Sequence, residues 1–431
     1  MRRVLPAAAI VAALTLAISA CGGGAGDQAA SPSAAAKNPT DISGEVTWWD
    51  TSDATNEAPA FQDLIAAFQT QYPKIKVNYV NVPFGEAQNK FKTAAQANSG
   101  APDVIRSEVA WTPEFASLGY LQALDGTRAL DKPEDFLPVP AASVKFDGKT
   151  YAVPQVTDSL ALLYNKDLLK KAGHDQPPKT MDELKQVALD AKQKAGTDGF
   201  GVNVQGYFLL PFIYGEGGDL LDVAGKKVTV DSPQAQAAVA RVQDLVKSGA
   251  AAKPTIQDSY ANVQTAFKDG KVAMIFNGPW SVADDLTGKA FKDKENLGVA
   301  TVPTGGSGKF GAPVGGHGYA VYAGSKSLDA SYEFVRFMAS AENEAKIAGK
   351  LGLLPARASA YNDPQVTANP MVGQFKPVVE AAHERPWIPE GGQLFTPLDQ
   401  AYAKIMSGQA ATDAALKGVA DEYRKLLQGW S

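Results

Sequence analysis

Between Val46 and Ile105 the chain switches repeatedly between two hydrophobic periods, and that alternation restricts it to folds built on a parallel sheet. Val46-Thr47-Trp48-Trp49 reads as a short buried strand, after which Phe61, Leu64, Ile65 and Phe68 recur at the spacing of one helical face until Pro73. Ile75, Val77 and Tyr79 alternate with Lys76 and Asn78 as in a strand, a second helix is predicted through Phe91 and Ala95, and Pro102-Asp103-Val104-Ile105 opens a third strand. Strand, helix, strand, helix, strand predicts parallel pairing with right-handed crossovers. The Asp147-Gly148 turn between Phe146 and Lys149 predicts a hairpin. Leu160 to Tyr164 is a further buried strand, and Thr180 with Glu183 makes a capping box ahead of the helical face Leu184, Val187, Ala188 and Ala191, where a second α/β lobe begins. In that lobe Val272 to Phe276 form a strand running into Asn277-Gly278-Pro279-Trp280, a loop at the carboxyl end where open α/β sheets bind ligands. The glycine-rich stretch from Gly305 to Gly318 reads as an interruption before the next strand, Tyr319 to Ala323, and helical spacing dominates from Leu328 onward.

The opening residues carry an address. Arg2 and Arg3, an apolar run from Val4 to Ile18, and small residues at Ser19 and Ala20 have the three-part organisation of an export signal. The run is too short and too weakly flanked for a spanning helix. Ile18-Ser19-Ala20-Cys21 resembles the bacterial lipobox, which implies cleavage before Cys21 and a diacylglycerol on its thiol. Residues 1–20 are then a signal peptide and 21–41, rich in Gly, Ala, Ser and Pro, a flexible tether. Cys21 is the only cysteine, so no disulfide framework or cysteine-rich metal site is expected beyond it. The remaining length, about 390 residues, exceeds what one core serves and favours two lobes.

Composition excludes several chemistries. Net charge is -5 with both signs interspersed, which gives no stripe for nucleic acid. His174, His317 and His383 are far apart and lack metal-site spacing, and no cofactor is expected. Gly148-Lys149-Thr150 and Gly308-Lys309-Phe310 imitate the end of a phosphate loop, but Ser143 stands where the first needs glycine and Phe310 where the second needs a hydroxyl. No Gly-x-Ser-x-Gly elbow occurs. The aromatics Trp48, Trp49, Trp111, Tyr207, Trp280, Trp387 and Phe395 fall at strand ends or in turn-rich segments as often as inside apolar runs. Such rings, mixed with Asp, Glu, Asn and Ser, suit a pyranose, whose C–H face packs on an aromatic plane while its hydroxyl rim needs donors and acceptors.

Four motifs in order, Trp48-Trp49-Asp50, Ala101-Pro102-Asp103-Val104-Ile105, Tyr164-Asn165-Lys166-Asp167-Leu168-Leu169 and Asn277-Gly278-Pro279-Trp280, resemble those of solute-binding proteins of carbohydrate ABC transporters, notably the maltose and maltodextrin-binding lipoproteins of actinobacteria. The resemblance spans the mature chain. It implies a type II periplasmic-binding-protein fold in the α/β class, with a cleft between lobes joined by several crossings near Val156, Gly315 and Leu354. The lobes are expected at 42–156 with 316–353 and at 157–315 with 354–431. By position, Asp50, Ser52 and Asp53 resemble the polar loop that meets sugar hydroxyls, Gln88 a helical polar contact, and Asp158 an acid at the hinge. Tyr207, Trp280 and Phe395 resemble the stacking aromatics of the second lobe. An acid usually found before the Tyr207 position is Gly206 here, and an acidic and basic pair after the Asp103 strand is replaced by Ala110-Trp111, leaving Glu108 as the nearest carboxylate and Trp111 as a stacking candidate.

The resemblance implies a monomeric, non-catalytic receptor that passes a malto-oligosaccharide to the transmembrane subunits of an ABC permease. Two alternatives stand beside it. One is a secreted glycoside hydrolase, since paired carboxylates are defined in space and acids are plentiful; the other is a solute-binding protein for a different ligand.

Overall fold

The computed structural model describes residues 38–431, so the expected signal segment and Cys21 lie outside the described residues. Ten strands in chain order form two main sheets. They are β1 (Gly44–Asp50), β2 (Ile75–Asn81), β3 (Val104–Glu108), β4 (Ala152–Ser159), β5 (Ala161–Asn165), β6 (Asp198–Gly201), β7 (Val272–Asn277), β8 (Leu297–Ala300), β9 (Val314–Val321) and β10 (Leu354–Pro355). The first sheet runs β10-β4-β9-β3-β1-β2 and the second β8-β5-β7-β6. As the alternating periods predict, β1 pairs in parallel with both β2 and β3. β9 then enters antiparallel between β3 and β4, closing the sheet with a strand from late in the chain.

Each sheet is covered on both faces, which explains why its strands read as continuous apolar runs. Val46 and Trp48 of β1 enter one core of the first sheet with Phe61, Phe68 and Phe334, while Trp49 packs against another with Phe91, Phe115 and Tyr322. In the second sheet Leu162, Met274 and Phe276 face one core, and Leu163 and Ile275 face the other. Helix α1 (Ala58–Gln71) buries Phe61, Leu64, Ile65 and Phe68, the four residues whose spacing marks its inner face. Burying each such side chain contributes about 1.5–3 kcal/mol, so this stripe is what docks the helix. Helices α2 (Phe84–Gln96) and α3 (Trp111–Ser117) follow the carboxyl ends of β2 and β3. Helices α4 (Gly206–Gly215) and α5 (Phe395–Met406) bring the rings of their first turns, Tyr207 and Phe395, to 6.0 Å from each other.

Several motif residues prove to be punctuation. Asp103 accepts from the Thr47 amide at 2.8 Å and the Ser325 hydroxyl at 2.5 Å, tying β1 to the chain after β9. Asn165 caps the next helix through the Leu168 amide at 3.0 Å. The Gly315-Gly316-His317-Gly318 stretch, expected as an interruption, lies inside β9. Glycine is needed there because β4 comes so close: a Cβ on Gly316 would stand 2.5 Å from the Val156 carbonyl oxygen, and the register slips between His317 and Gly318.

Candidate functional site

The carboxyl ends of β1, β3 and β7 point toward the region where the chain passes from one sheet to the other. Asp158, the penultimate residue of β4, pairs in register with Gly315 of β9. A methyl group on Gly315 would lie 2.1 Å from Asp158 Oδ1 and 3.0 Å from the Tyr207 hydroxyl, so a carboxylate and a phenol converge above bare backbone. Among the described residues no group donates a hydrogen bond to that carboxylate. Burial pushes the Asp158 carboxyl up to about 7; Glu108 adds to the shift, while Arg385 and Arg106 oppose it. Burial likewise raises the Tyr207 phenol well above its ordinary value, which keeps it a hydroxyl and a donor.

Arg385 organises the opposite wall. Its Nε donates to the Val314 carbonyl at 2.7 Å, an Nη pairs with Glu108 Oε1, and its guanidinium carbon lies 5.5, 5.7 and 6.0 Å from the ring centroids of Tyr207, Trp387 and Phe395. Glu108 Oε2 accepts from the Ala110 amide at 2.9 Å. One buried cation thus joins the acid at the end of β3 to three rings from later in the chain. Such a planar group, stacked and forked, is what arginine supplies and lysine does not.

The aromatic wall continues from there. Tyr207 stands 6.0 Å from Phe395 and 6.5 Å from Trp280, both tilted. Trp280 donates its indole N–H to the Tyr260 hydroxyl at 3.1 Å and lies flat against Gly278, where a Cβ would come within 1.9 Å of the ring. Its other edge is half-exposed. On the first lobe Phe84 is 49% exposed and stacks on Trp111 at 4.9 Å.

With this geometry in place the relatives are informative. Residues 53–345 match the bacterial extracellular solute-binding protein family. The chain is a bacterial extracellular solute-binding protein. Its fold superposes on the GacH receptor of Streptomyces glaucescens, solved unliganded and with acarbose, at a TM-score of 0.88 and 51% identity, covering 90% of this chain and 100% of that one. A maltotriose-binding protein of Pyrococcus abyssi is 27% identical over 90% of this chain and 83% of its own length. A maltooligosaccharide ABC transporter solute-binding lipoprotein of Streptococcus pneumoniae is 30% identical over 73% of this chain and 76% of its own. The two-lobed α/β architecture expected of the family is therefore present.

The binding protein brings together Glu108, Asp158, Tyr207, Trp280 and Phe395, and engages the other anticipated residues elsewhere. Asp50 is wholly buried: the Ser52 hydroxyl donates to it at 2.5 Å and the Tyr79 hydroxyl at 2.8 Å, so its carboxylate holds the β1 loop and offers no surface. Asp53 is exposed and accepts from the Thr55 and Asn56 amides at 2.9 and 2.7 Å, a turn ahead of α1. Gln88 donates to Glu114 at 2.7 Å, and Glu114 also accepts from Lys92 at 2.9 Å and Gln393 at 3.1 Å. Trp111 is only 6% exposed, because Phe84 covers its face; the ring that meets solvent there is Phe84. Sequence reasoning missed Phe84, Arg385, Glu114 and His317. The position of Phe84 just past the carboxyl end of β2 was a usable signal; nothing local marked Arg385 as the partner of Glu108.

Proposed function

We propose that this binding protein is the extracytoplasmic sugar receptor of an ABC importer, closing on malto-oligosaccharides or a related α-glucoside and delivering them to the permease transmembrane subunits. Asp158 carries the reading. Among the described residues its carboxylate has no donor; it stands beside the Tyr207 hydroxyl, and the Tyr207 ring adjoins those of Trp280 and Phe395. An acceptor next to aromatic planes matches a pyranose, with hydroxyls for the acid and a C–H face for the rings. Relatives named for acarbose, maltotriose and maltooligosaccharide support the same ligand class. Glu108, Asp158, Tyr207, Trp280 and Phe395 are the contacts we assign. Asp50, Ser52 and Gln88 shape the loops around them.

The lobes are taken as 42–156 with 316–353 and 157–315 with 354–431, hinged near Val156, Gly315 and Leu354. Cys21 carries the lipid anchor, a reading supported by the lipobox-like sequence and by a relative named a lipoprotein. The receptor acts as a monomer and without catalysis. Calorimetry with maltose, maltotriose, acarbose, trehalose, cellobiose and xylobiose tests the assignment: binding at micromolar or tighter affinity to the α-glucosides is expected, and silence across the panel would reject it. Chromatography after incubation with maltotriose should detect no hydrolysis; glucose or maltose appearing there would favour a hydrolase.

A further inference from the structure

The glycine-rich stretch of β9 holds a residue that the reading above leaves without a task. His317 pairs in register with Glu108 of β3 on one side and with Val156 of β4 on the other. Directly opposed side chains on an antiparallel pair have Cβ atoms about 4.5–5.5 Å apart, so the imidazole lies alongside the acid that Arg385 engages. Phe84 meets its ring edge-on at 6.0 Å. Neither Nδ1 nor Nε2 has a hydrogen-bond partner among the described residues, and both atoms are covered.

A covered imidazole with two unmatched nitrogens is costly. Each buried polar group left unsatisfied costs roughly 1–3 kcal/mol, and such groups in native proteins call for an explanation. Burial, then the charges of Arg106 and Arg385, hold this imidazole well below its ordinary pKa, so it stays neutral at pH 7 with one N–H donor and one acceptor. Its surroundings also explain why the neighbours are glycines: Gly315 leaves space for Asp158 and Tyr207, and Gly316 for the β4 backbone. The strand is stripped of side chains on both sides of His317 and keeps this one.

We propose that His317 and Phe84 form a sugar subsite, in which the imidazole, uncovered as the ligand enters, exchanges hydrogen bonds with ligand hydroxyls and the exposed Phe84 ring supports the pyranose face. This deepens the sugar-receptor reading and rests on it. Phe84 is suited to the role because it is 49% exposed while Trp111 backs it in a stack at 4.9 Å, a platform held from behind. His317 stands two residues along β9 from Gly315, the register partner of Asp158, so the subsite adjoins the Asp158 end of the site. A ligand of two or more rings would use both; a monosaccharide would use one.

The test uses the purified chain with maltotriose as probe. His317→Ala should weaken binding by about tenfold, as expected for the loss of one or two hydrogen bonds of ordinary net strength. His317→Gln, which retains a donor and an acceptor, should stay within a few-fold of the parent. Phe84→Ala, at a position too exposed to threaten folding, should also lose roughly tenfold. The ring nitrogen resonances of His317 in the unaltered chain should shift on saturation with maltotriose, a readout independent of any variant. Unchanged affinity in His317→Ala would overturn the subsite, as would equal losses in the Ala and Gln variants with unmoved ring resonances. If the unaltered chain binds neither maltotriose nor acarbose, the subsite and the sugar-receptor reading fall together; binding by the parent with indifferent variants removes the subsite alone.

Discussion

Arg385 reaches Glu108, 277 residues earlier in the chain, while its Nε holds the Val314 carbonyl and its plane faces three aromatic rings. Both partners are largely buried, and removing one leaves the other charged and uncompensated. Arg385→Ala should therefore destabilise the protein by about 3–5 kcal/mol in denaturant unfolding. Arg385→Lys should recover little of this, since an ammonium cannot fork between a carbonyl and a carboxylate while stacking. A lysine variant as stable as the parent would show that the charge alone matters.

Affinity should depend on pH through Asp158. With the free carboxyl pushed up to about 7, bound sugar hydroxyls donating to it favour the ionised form and lower its pKa in the complex. Binding then releases a proton, so affinity rises as pH climbs toward 7 and levels off above it. Calorimetry in buffers spanning pH 5.5 to 8 should give that slope, and Asp158→Asn should abolish it. A slope of opposite sign would mean that the ligand engages the protonated acid.

Trp280 offers a test that leaves its own side chain intact. Because its ring lies flat on Gly278, Gly278→Ala must displace it, and Trp280→Ala removes it. Both should weaken maltotriose binding, the second by about 1–3 kcal/mol as for planar groups stacked on aromatics. Unaltered affinity in both would place Trp280 in the core of the second lobe, against which it also packs.

Asp285 is wholly buried, accepts from the Ser281 hydroxyl at 2.8 Å, and has its carboxyl pushed up to about 7, by burial first and by Asp284 second. In the unfolded chain such a group titrates near 3.9. The folded state holds its proton longer, so this group's contribution is complete below about pH 4 and is lost as pH rises to about 7. Asp285→Asn should flatten the stability profile over that window, an effect on the order of a few kcal/mol. Unfolding midpoints of parent and variant that track each other from pH 4 to 8 would refute it.

Anchor and cleft should separate cleanly. Cys21→Ser is expected to release the protein from membranes into the medium while maltotriose affinity is unchanged, as read by fractionation and calorimetry on the same preparation. Retention on the membrane would remove Cys21 as the attachment point.

The lobes were legible because hydrophobic period reports burial directly: the α1 stripe from Phe61 to Phe68 and the Val272 to Phe276 strand need no distant information. The site was legible in residue type more than in direction. Asp50 was recognisable as a loop acid, but only the fold reveals that Tyr79 and Ser52 turn it inward. Trp111 was recognisable as an aromatic near the cleft, yet Phe84, 27 residues earlier in the chain, covers it. Gly315 to Gly318 looked like loop because glycine is a poor strand former, and the close approach of β4 that requires it is invisible in one dimension. Arg385 was missed for the same reason: its partners are set by topology, not by neighbours.

The absence of a side chain at Gly315 has a practical meaning for anyone who wants to redirect this protein toward another glycan. The gap between Asp158 and Tyr207 is set by main chain, and even one methyl would occupy it. A library for altered selectivity should hold that position fixed and diversify the rims, where Phe84 and Trp280 can change size without collapsing the floor. The width of the floor is a constant of the scaffold, and the identity of the guest is written around its edge.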